Sequence, residues 1–187
     1  MLKTFESLGI DDRILDAIRS MDWEEPSPVQ IATIPVILEG HDIIGQAQTG
    51  TGKTAAFGIP LLQMIEPKKK PSALILCPTR ELAVQVSEEM KRLGEYVSLR
   101  ILSVYGGAGI EPQINAMRQG VDIVVGTPGR VIDHLHRGTL DLAEIKYMVL
   151  DEADRMLDMG FIDDIKARAK TSKKTIVLPE TEDIRTY

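Results

Sequence analysis

One stretch, Ala47-Gln48-Thr49-Gly50-Thr51-Gly52-Lys53-Thr54, limits what this chain can fold into more than any other. A short apolar run, Asp42-Ile43-Ile44-Gly45, precedes it and reads as a strand. Ala55-Ala56-Phe57-Gly58-Ile59-Pro60-Leu61-Leu62 follows and reads as the start of a helix. Strand, glycine loop, Gly-Lys-Thr and helix make the plan of a phosphate-binding P-loop. Gly50 and Gly52 let successive backbone N–H groups turn inward with no Cβ in the way. The helix N-terminus adds unpaired N–H groups and a partial positive charge. Lys53 supplies a point charge for terminal phosphates, and the Thr54 hydroxyl suits Mg²⁺. The strict pattern has Gly five residues before Gly52, where this chain has Ala47.

The 187 residues fit one domain with a sizeable core, and a 43% hydrophobic content excludes wholesale disorder. A net charge of −6 excludes a surface that grips nucleic acid everywhere, while leaving room for a local basic face. With one cysteine, Cys77, no internal disulfide forms; it ends an apolar run and reads as a buried thiol. His134 and His136 form no metal-ligand pattern with Cys77 and read as solvated helix positions. No run of apolar residues nears a membrane span and no leader pattern is visible, so no membrane contact and a cytoplasmic location are the expectations.

Along the chain, residues 5–21 carry helical spacing at Ile10, Ile14, Leu15 and Ile18, with Asp11 as a cap. Pro28 suits the first turn of a second helix running to Leu38, in which Pro35 predicts a kink or an early break. Strands are expected at 72–77, 99–105, 121–125, 146–150 and 174–178. Helices are expected from Pro78 to about residue 96, up to Met117, from Gly126 to about His136, and over 161–170. Strands alternating with helices predict a parallel sheet covered on both faces. Every loop with unusual chemistry then follows a strand, at the carboxyl edge where open α/β sheets bind ligands.

A P-loop needs a carboxylate from another strand for Mg²⁺. Asp151 ends the run Tyr147-Met148-Val149-Leu150, where such a group belongs. The adjacent Glu152 suggests a division of labour, with Asp151 for the metal and Glu152 as base or orienter for an attacking water. On these two motifs alone a kinase or a GTP-binding switch stays open.

Four further motifs decide the matter. With Ala47 in place, residues 47–54 resemble the loop of DEAD-box RNA helicases, and Asp151-Glu152-Ala153-Asp154 is similar to the motif that names that family. Pro78-Thr79-Arg80-Glu81-Leu82, Gly106-Gly107 and Thr127-Pro128-Gly129-Arg130 resemble its RNA-contacting motifs, in the family's order. Pro26-Ser27-Pro28-Val29-Gln30 resembles its adenine-reading Gln motif, with Phe5 matching the upstream aromatic.

The resemblance implies an α/β three-layer P-loop NTPase (RecA-like) domain with a mostly parallel central sheet. It implies ATP or ADP with Mg²⁺, the metal held by Thr54 and Asp151 largely through water. Lys53, Asp151 and Glu152 would be catalytic. Phe5, Trp23, Gln30, Gln48, Thr49, Gly50, Thr51, Gly52, Lys53 and Thr54 would contact ATP. The Gln30 amide, both donor and acceptor, fits the N6 and N7 edge of adenine. Trp23 falls where the family stacks an aromatic on the base, and it equally suits a half-buried rim. Pro78, Thr79, Arg80, Gly106, Gly107, Thr127, Pro128, Gly129 and Arg130 would contact single-stranded RNA through its backbone, without sequence preference. Aromatics are only 4% of the chain, which agrees with little base stacking.

The chain departs from the family in two places. The family's second domain, whose arginines complete the ATP site, has no counterpart in these residues, so weak nucleotide binding and poor hydrolysis are expected. The strand expected at 174–178 ends on Pro179-Glu180-Thr181 where the family places Ser-Ala-Thr. From about residue 167 the tail resembles the opening of phosphate acetyltransferases, but it is too short to carry that enzyme's site. Domain boundaries of 1–166 and a foreign helix-strand tail of 167–187 follow, the tail either filling a sheet position or left unpacked. A non-enzymatic chimeric scaffold kept for its fold is the alternative reading.

Overall fold

The computed structural model describes residues 4–45, 50–157 and 174–178. Ala47, Gln48, Thr49, the helix expected over 161–170 and the tail beyond Leu178 lie outside the described residues.

Among the described residues, six strands form one sheet. They are β1 (Ile43–Ile44), β2 (Ala73–Leu76), β3 (Ile101–Val104), β4 (Ile123–Gly126), β5 (Tyr147–Asp151) and β6 (Lys174–Leu178). Their order is β1-β6-β5-β2-β4-β3, and every pairing is parallel. The helices are α1 (Asp12–Ser20), α2 (Pro28–Leu38), α3 (Lys53–Met64), α4 (Arg80–Leu93), α5 (Ile110–Arg118), α6 (Pro128–His136) and α7 (Ala153–Leu157). Phe5–Leu8 forms a 3₁₀ turn ahead of α1.

Side-chain alternation divides the core into two layers. Ala73, Ile75, Ile123, Val125, Val149 and Ile176 face one side of the sheet, packed with Ile14, Ile18, Phe57, Leu61, Val86 and Met90 from α1, α3 and α4. Leu74, Leu76, Val124, Met148 and Leu150 face the other side, against Val131 and Leu135 of α6 and the segment Leu140, Leu142, Ile145. Helices therefore cover both faces, which is the three-layer plan. The apolar runs of β2, β4 and β5 follow from this, since each strand is buried on both faces. Fully burying a side chain such as Phe57 or Leu61 contributes about 1.5–3 kcal/mol.

Local signals set the boundaries. Asp11 caps α1, its carboxylate accepting from the Arg13 N–H at 3.0 Å. The first helix is shorter than the spacing predicts, because Gly9 in a left-handed conformation separates the 3₁₀ turn from α1. Ser27 and Gln30 form a reciprocal capping box at the start of α2, with Pro28 in its first turn. Pro35 does not end α2, which continues to Leu38. Thr79 caps α4 by accepting from the Leu82 N–H at 3.2 Å.

β6 occupies the position beside β5, pairing Lys174 with Tyr147 and Leu178 with Asp151. On its other side it pairs Ile176 with Ile43 and Val177 with Ile44. Among the described residues, no helix is long and apolar enough to cross a membrane.

Candidate functional site

All the strand ends that carry polar motifs open onto the carboxyl edge, and two sites form there. One is a cleft of about 640 Å³. Its floor is the start of α3 with Gly50, Thr51, Gly52, Lys53 and Thr54, together with Asp151 and Glu152 at the end of β5. One wall is Phe5, Trp23, Ser27 and Gln30; the opposite wall is the polar stripe of α4, including Gln85, Glu89 and Arg92.

The chemistry of the floor is strained and under-satisfied. Lys53 is 7% exposed and Asp151 3% exposed. Among the described residues, Lys53 Nζ and Asp151 Oδ1 are buried with no hydrogen-bond partner. A buried ammonium and a buried carboxylate oxygen left unpaired each cost free energy unless a ligand completes them. An anion beside Lys53 and a cation beside Asp151 are the ligands that fit, so the donor set matches a phosphate with a divalent metal. Burial raises the Asp151 carboxyl from 3.8 to about 6; the nearby Lys53 charge opposes this and the Glu152 charge adds to it. Glu152 holds φ at +51°, a left-handed conformation that costs a non-glycine residue roughly 1–3 kcal/mol. The Arg155 guanidinium donates to Glu152 Oε2 at 2.7 Å and fixes that carboxylate.

Gln30 does two jobs. Its Oε1 accepts from the Ser27 N–H at 2.9 Å and its Nε2 donates to the Gly52 carbonyl at 3.2 Å. An amide has two donors and two lone pairs, so one N–H and one lone pair remain for a ligand. The contact with Gly52 ties this side chain to the start of α3. Gly52 has φ +86°, and a Cβ there would collide with the Gln30 amide. Phe5 and Trp23 stack with centroids 6.5 Å apart and planes at 26°, the Trp half-buried at the cleft wall. The rim position and a place beside the cleft thus coexist for Trp23.

The second site is built from three loops. After β2, Arg80 is exposed and its guanidinium lies 4.9 Å from the centre of the Tyr105 ring. After β3, Gly106 and Gly107 are exposed, Gly107 with φ +79°. After β4, Thr127, Pro128, Gly129 and Arg130 start α6, and Arg130 donates to the Ala108 carbonyl at 3.1 Å. The motifs around Arg80, Gly107 and Arg130 are thereby brought together, with the N-termini of α4, α5 and α6 at one edge. Pro78 and Thr79 lead into α4, where Thr79 is the cap. Pro128 is buried, so its visible contribution is to the first turn of α6.

Several residues here were not singled out from the sequence. Gln85, Glu89 and Arg92 share one stripe of α4, but any amphipathic helix has a polar stripe, so spacing alone does not mark them. Burial raises the Glu89 carboxyl, while a hydrogen bond with Thr54 opposes the rise. Arg155 sits three residues beyond Glu152, helical spacing that was available to read. His134 corrects an expectation: it is fully buried, not solvated, whereas His136 is exposed. Its position three residues after the buried Val131 was the signal. Cys77 is buried as expected, and burial first, then the Asp151 and Glu152 charges, push its thiol well up.

The DEAD/DEAH box helicase family matches residues 27–183, and the chain belongs to that family. It is 52% identical over 167 residues to the DEAD-box ATP-dependent RNA helicase CshA of Geobacillus kaustophilus, covering 89% of this chain and 36% of that protein. It is 53% identical over 165 residues to the ATP-dependent RNA helicase DeaD of Mycobacterium tuberculosis, covering 87% of this chain and 29% of that one. The chain thus spans about a third of the length of these curated relatives. Among solved structures, a DEAD box protein from the hyperthermophile Methanococcus jannaschii superposes with a TM-score of 0.87 at 44% identity, covering 96% of this chain and 50% of that chain. A hypothetical ATP-dependent RNA helicase from Sulfolobus tokodaii superposes at 0.84 with 40% identity, over 92% of this chain and 51% of that one. The fold is the α/β RecA-like domain of DEAD-box proteins.

Proposed function

We propose that this chain is the nucleotide- and RNA-binding first domain of an ATP-dependent RNA helicase. The observation that carries the reading is a pair of buried atoms, Lys53 Nζ and Asp151 Oδ1, that lack a hydrogen-bond partner among the described residues, on the floor of one cleft. Adenine lies against Gln30 and the Phe5–Trp23 wall, and phosphates lie in the loop at 47–54 with Lys53 donating to their terminal oxygens. Thr54 and Asp151 hold Mg²⁺, which neutralises phosphate charge when bound. Glu152, steadied by Arg155, is placed to orient a water and take its proton. A single RNA strand runs over Arg80, Gly106, Gly107, Thr127, Gly129 and Arg130, where arginines and helix N-termini meet phosphates without reading bases.

Turnover is expected to need more than these residues. An arginine supplied from outside a phosphoryl-transfer site typically contributes ~10³–10⁵ in rate, and no such arginine is assigned here. Calorimetric titration with ADP and with an ATP analogue, each with Mg²⁺ and with or without single-stranded RNA, tests the reading. Measurable nucleotide affinity with negligible ATP turnover is the expected result. No heat of nucleotide binding, or brisk RNA-stimulated turnover, overturns it.

We also read residues from about 167 onward as foreign sequence occupying a sheet position native to the family. Their resemblance to phosphate acetyltransferases supports this, as does Pro179-Glu180-Thr181 in place of Ser-Ala-Thr. The paired amides of Thr175–Val177 should then exchange slowly with solvent; rapid exchange would mark an unpacked junction instead.

A further inference from the structure

A buried polar chain links α6 to the glycine loop after β3. His134 is fully buried on α6. Its Nδ1 lies 2.8 Å from Thr139 Oγ1 and its Nε2 lies 3.2 Å from Gln113 Oε1. Gln113, 7% exposed on α5, donates from Nε2 to the Tyr105 carbonyl at 3.2 Å and to the Gly109 carbonyl at 3.4 Å. Those two contacts fix which end of the amide is nitrogen. Oε1 is then an acceptor facing His134, so His134 Nε2 carries a proton; Nδ1 faces the Thr139 hydroxyl, whose single proton also lies within reach of the His134 carbonyl at 3.1 Å. Burial and the charge of Arg130 hold the imidazole below its ordinary value, in agreement with the neutral form.

The loop has three glycines in five residues, Gly106, Gly107 and Gly109. Left alone, such a segment samples many backbone shapes, and ordering it on ligand binding costs affinity. Here three of its carbonyls are bonded from within the protein: Tyr105 and Gly109 by Gln113, and Ala108 by Arg130. His134 pairs the acceptor end of the same amide, so the Gln113 side chain that holds two of these carbonyls is fixed at both its ends.

We propose that His134 is a positioning residue for RNA binding: through the Gln113 amide it holds the 105–109 loop in one shape that a sugar-phosphate backbone can meet. The inference rests on the reading of the edge loops as an RNA-backbone site. His134 touches no RNA itself, and the ATP cleft does not depend on it.

Two variants of the 187-residue chain test this. His134→Leu keeps a comparable size and removes the donor, leaving Gln113 Oε1 buried and unpaired. His134→Gln restores an amide N–H near the position of Nε2. Affinity for a labelled oligouridylate is read by anisotropy with ADP or an ATP analogue and Mg²⁺ present. ADP affinity is read by calorimetry, and amide exchange is followed across 105–109. His134→Leu should weaken RNA binding about tenfold, the effect of one unpaired buried acceptor, speed exchange across the loop, and leave ADP affinity within about twofold. His134→Gln should recover most of the RNA affinity. Nitrogen NMR of the wild-type imidazole should report the Nε2–H tautomer. Equal RNA binding by wild type and His134→Leu overturns the inference, as does a parallel loss of ADP binding, failure of glutamine to rescue, or the Nδ1–H tautomer. If the wild-type chain binds no RNA at all, the edge-loop reading falls, and the role of His134 in RNA binding falls with it.

Discussion

Lys53→Ala is expected to weaken nucleotide binding severely and to leave the fold intact. The ammonium is buried at the first residue of α3 and, among the described residues, hydrogen-bonds nothing. It therefore contributes little to holding the apo structure together through hydrogen bonds, and its bonding capacity remains for a ligand. A hydrogen bond to a charged group contributes about 1.5–3 kcal/mol, so losing two to terminal phosphates weakens binding roughly 100-fold or more. Lys53→Arg should not restore it, because a planar fork needs more room than a point charge at a closed floor. Calorimetry with ADP and Mg²⁺, alongside a thermal melt, separates the two effects. Wild-type affinity in the alanine variant would refute the assignment of Lys53.

Asp151→Asn is expected to stabilise the nucleotide-free chain at neutral pH and to weaken nucleotide binding in the presence of Mg²⁺. The folded carboxyl is raised from 3.8 to about 6, chiefly by burial. Below pH 3.8 both folded and unfolded chains hold the proton, and the substitution changes nothing. Between 3.8 and about 6 the unfolded chain releases it first, so wild-type stability falls as pH rises. Above about pH 6 the difference is fully developed, at most about 3 kcal/mol for a shift of this size. Urea unfolding of both proteins from pH 3.5 to 8 checks this. The gap should open across that window and then stay level; parallel curves at every pH would contradict the burial of an unpaired carboxylate. Such a site stores instability that a bound cation relieves.

Why were some parts of this molecule legible from residues alone? Parallel strands buried on both faces need continuous apolar runs, so β2, β4 and β5 announce themselves. Polar residues at strand ends then fall on the carboxyl edge by geometry, which is why Asp151 and Glu152 stand out after β5, while Lys53 stands out through the glycine pattern ahead of α3. Boundaries are less visible: Gly9 breaks the first helical pattern because a left-handed residue ends a turn whatever the periodicity beyond it. Pro35 was expected to kink α2 or break it early, and α2 continues past it to Leu38. His134 was misread because residue type outweighed position; Val131, His134 and Leu135 lie on one buried face, and the imidazole is tolerated there because both ring nitrogens find partners. The double role of Gln30 depends on Gly52 arriving 22 residues later in the chain, a proximity no local pattern encodes.

The strand order also sets a sequence of assembly. β1 is two residues long, and among the described residues its sheet partner is β6 alone. Asp42 reinforces that seam by accepting from the Thr175 N–H at 2.8 Å, across 133 residues of chain. The strand that launches the P-loop thus has no lateral support until the far strand has slotted in between it and β5. Contacts closed over so long a separation form late and slowly in folding. A nascent chain would hold β2, β3, β4 and β5 in register first, with residues 43–44 not yet paired in the sheet. Whatever loosens β6, by strain or by altered sequence, acts first on the phosphate loop at the opposite end of the polypeptide.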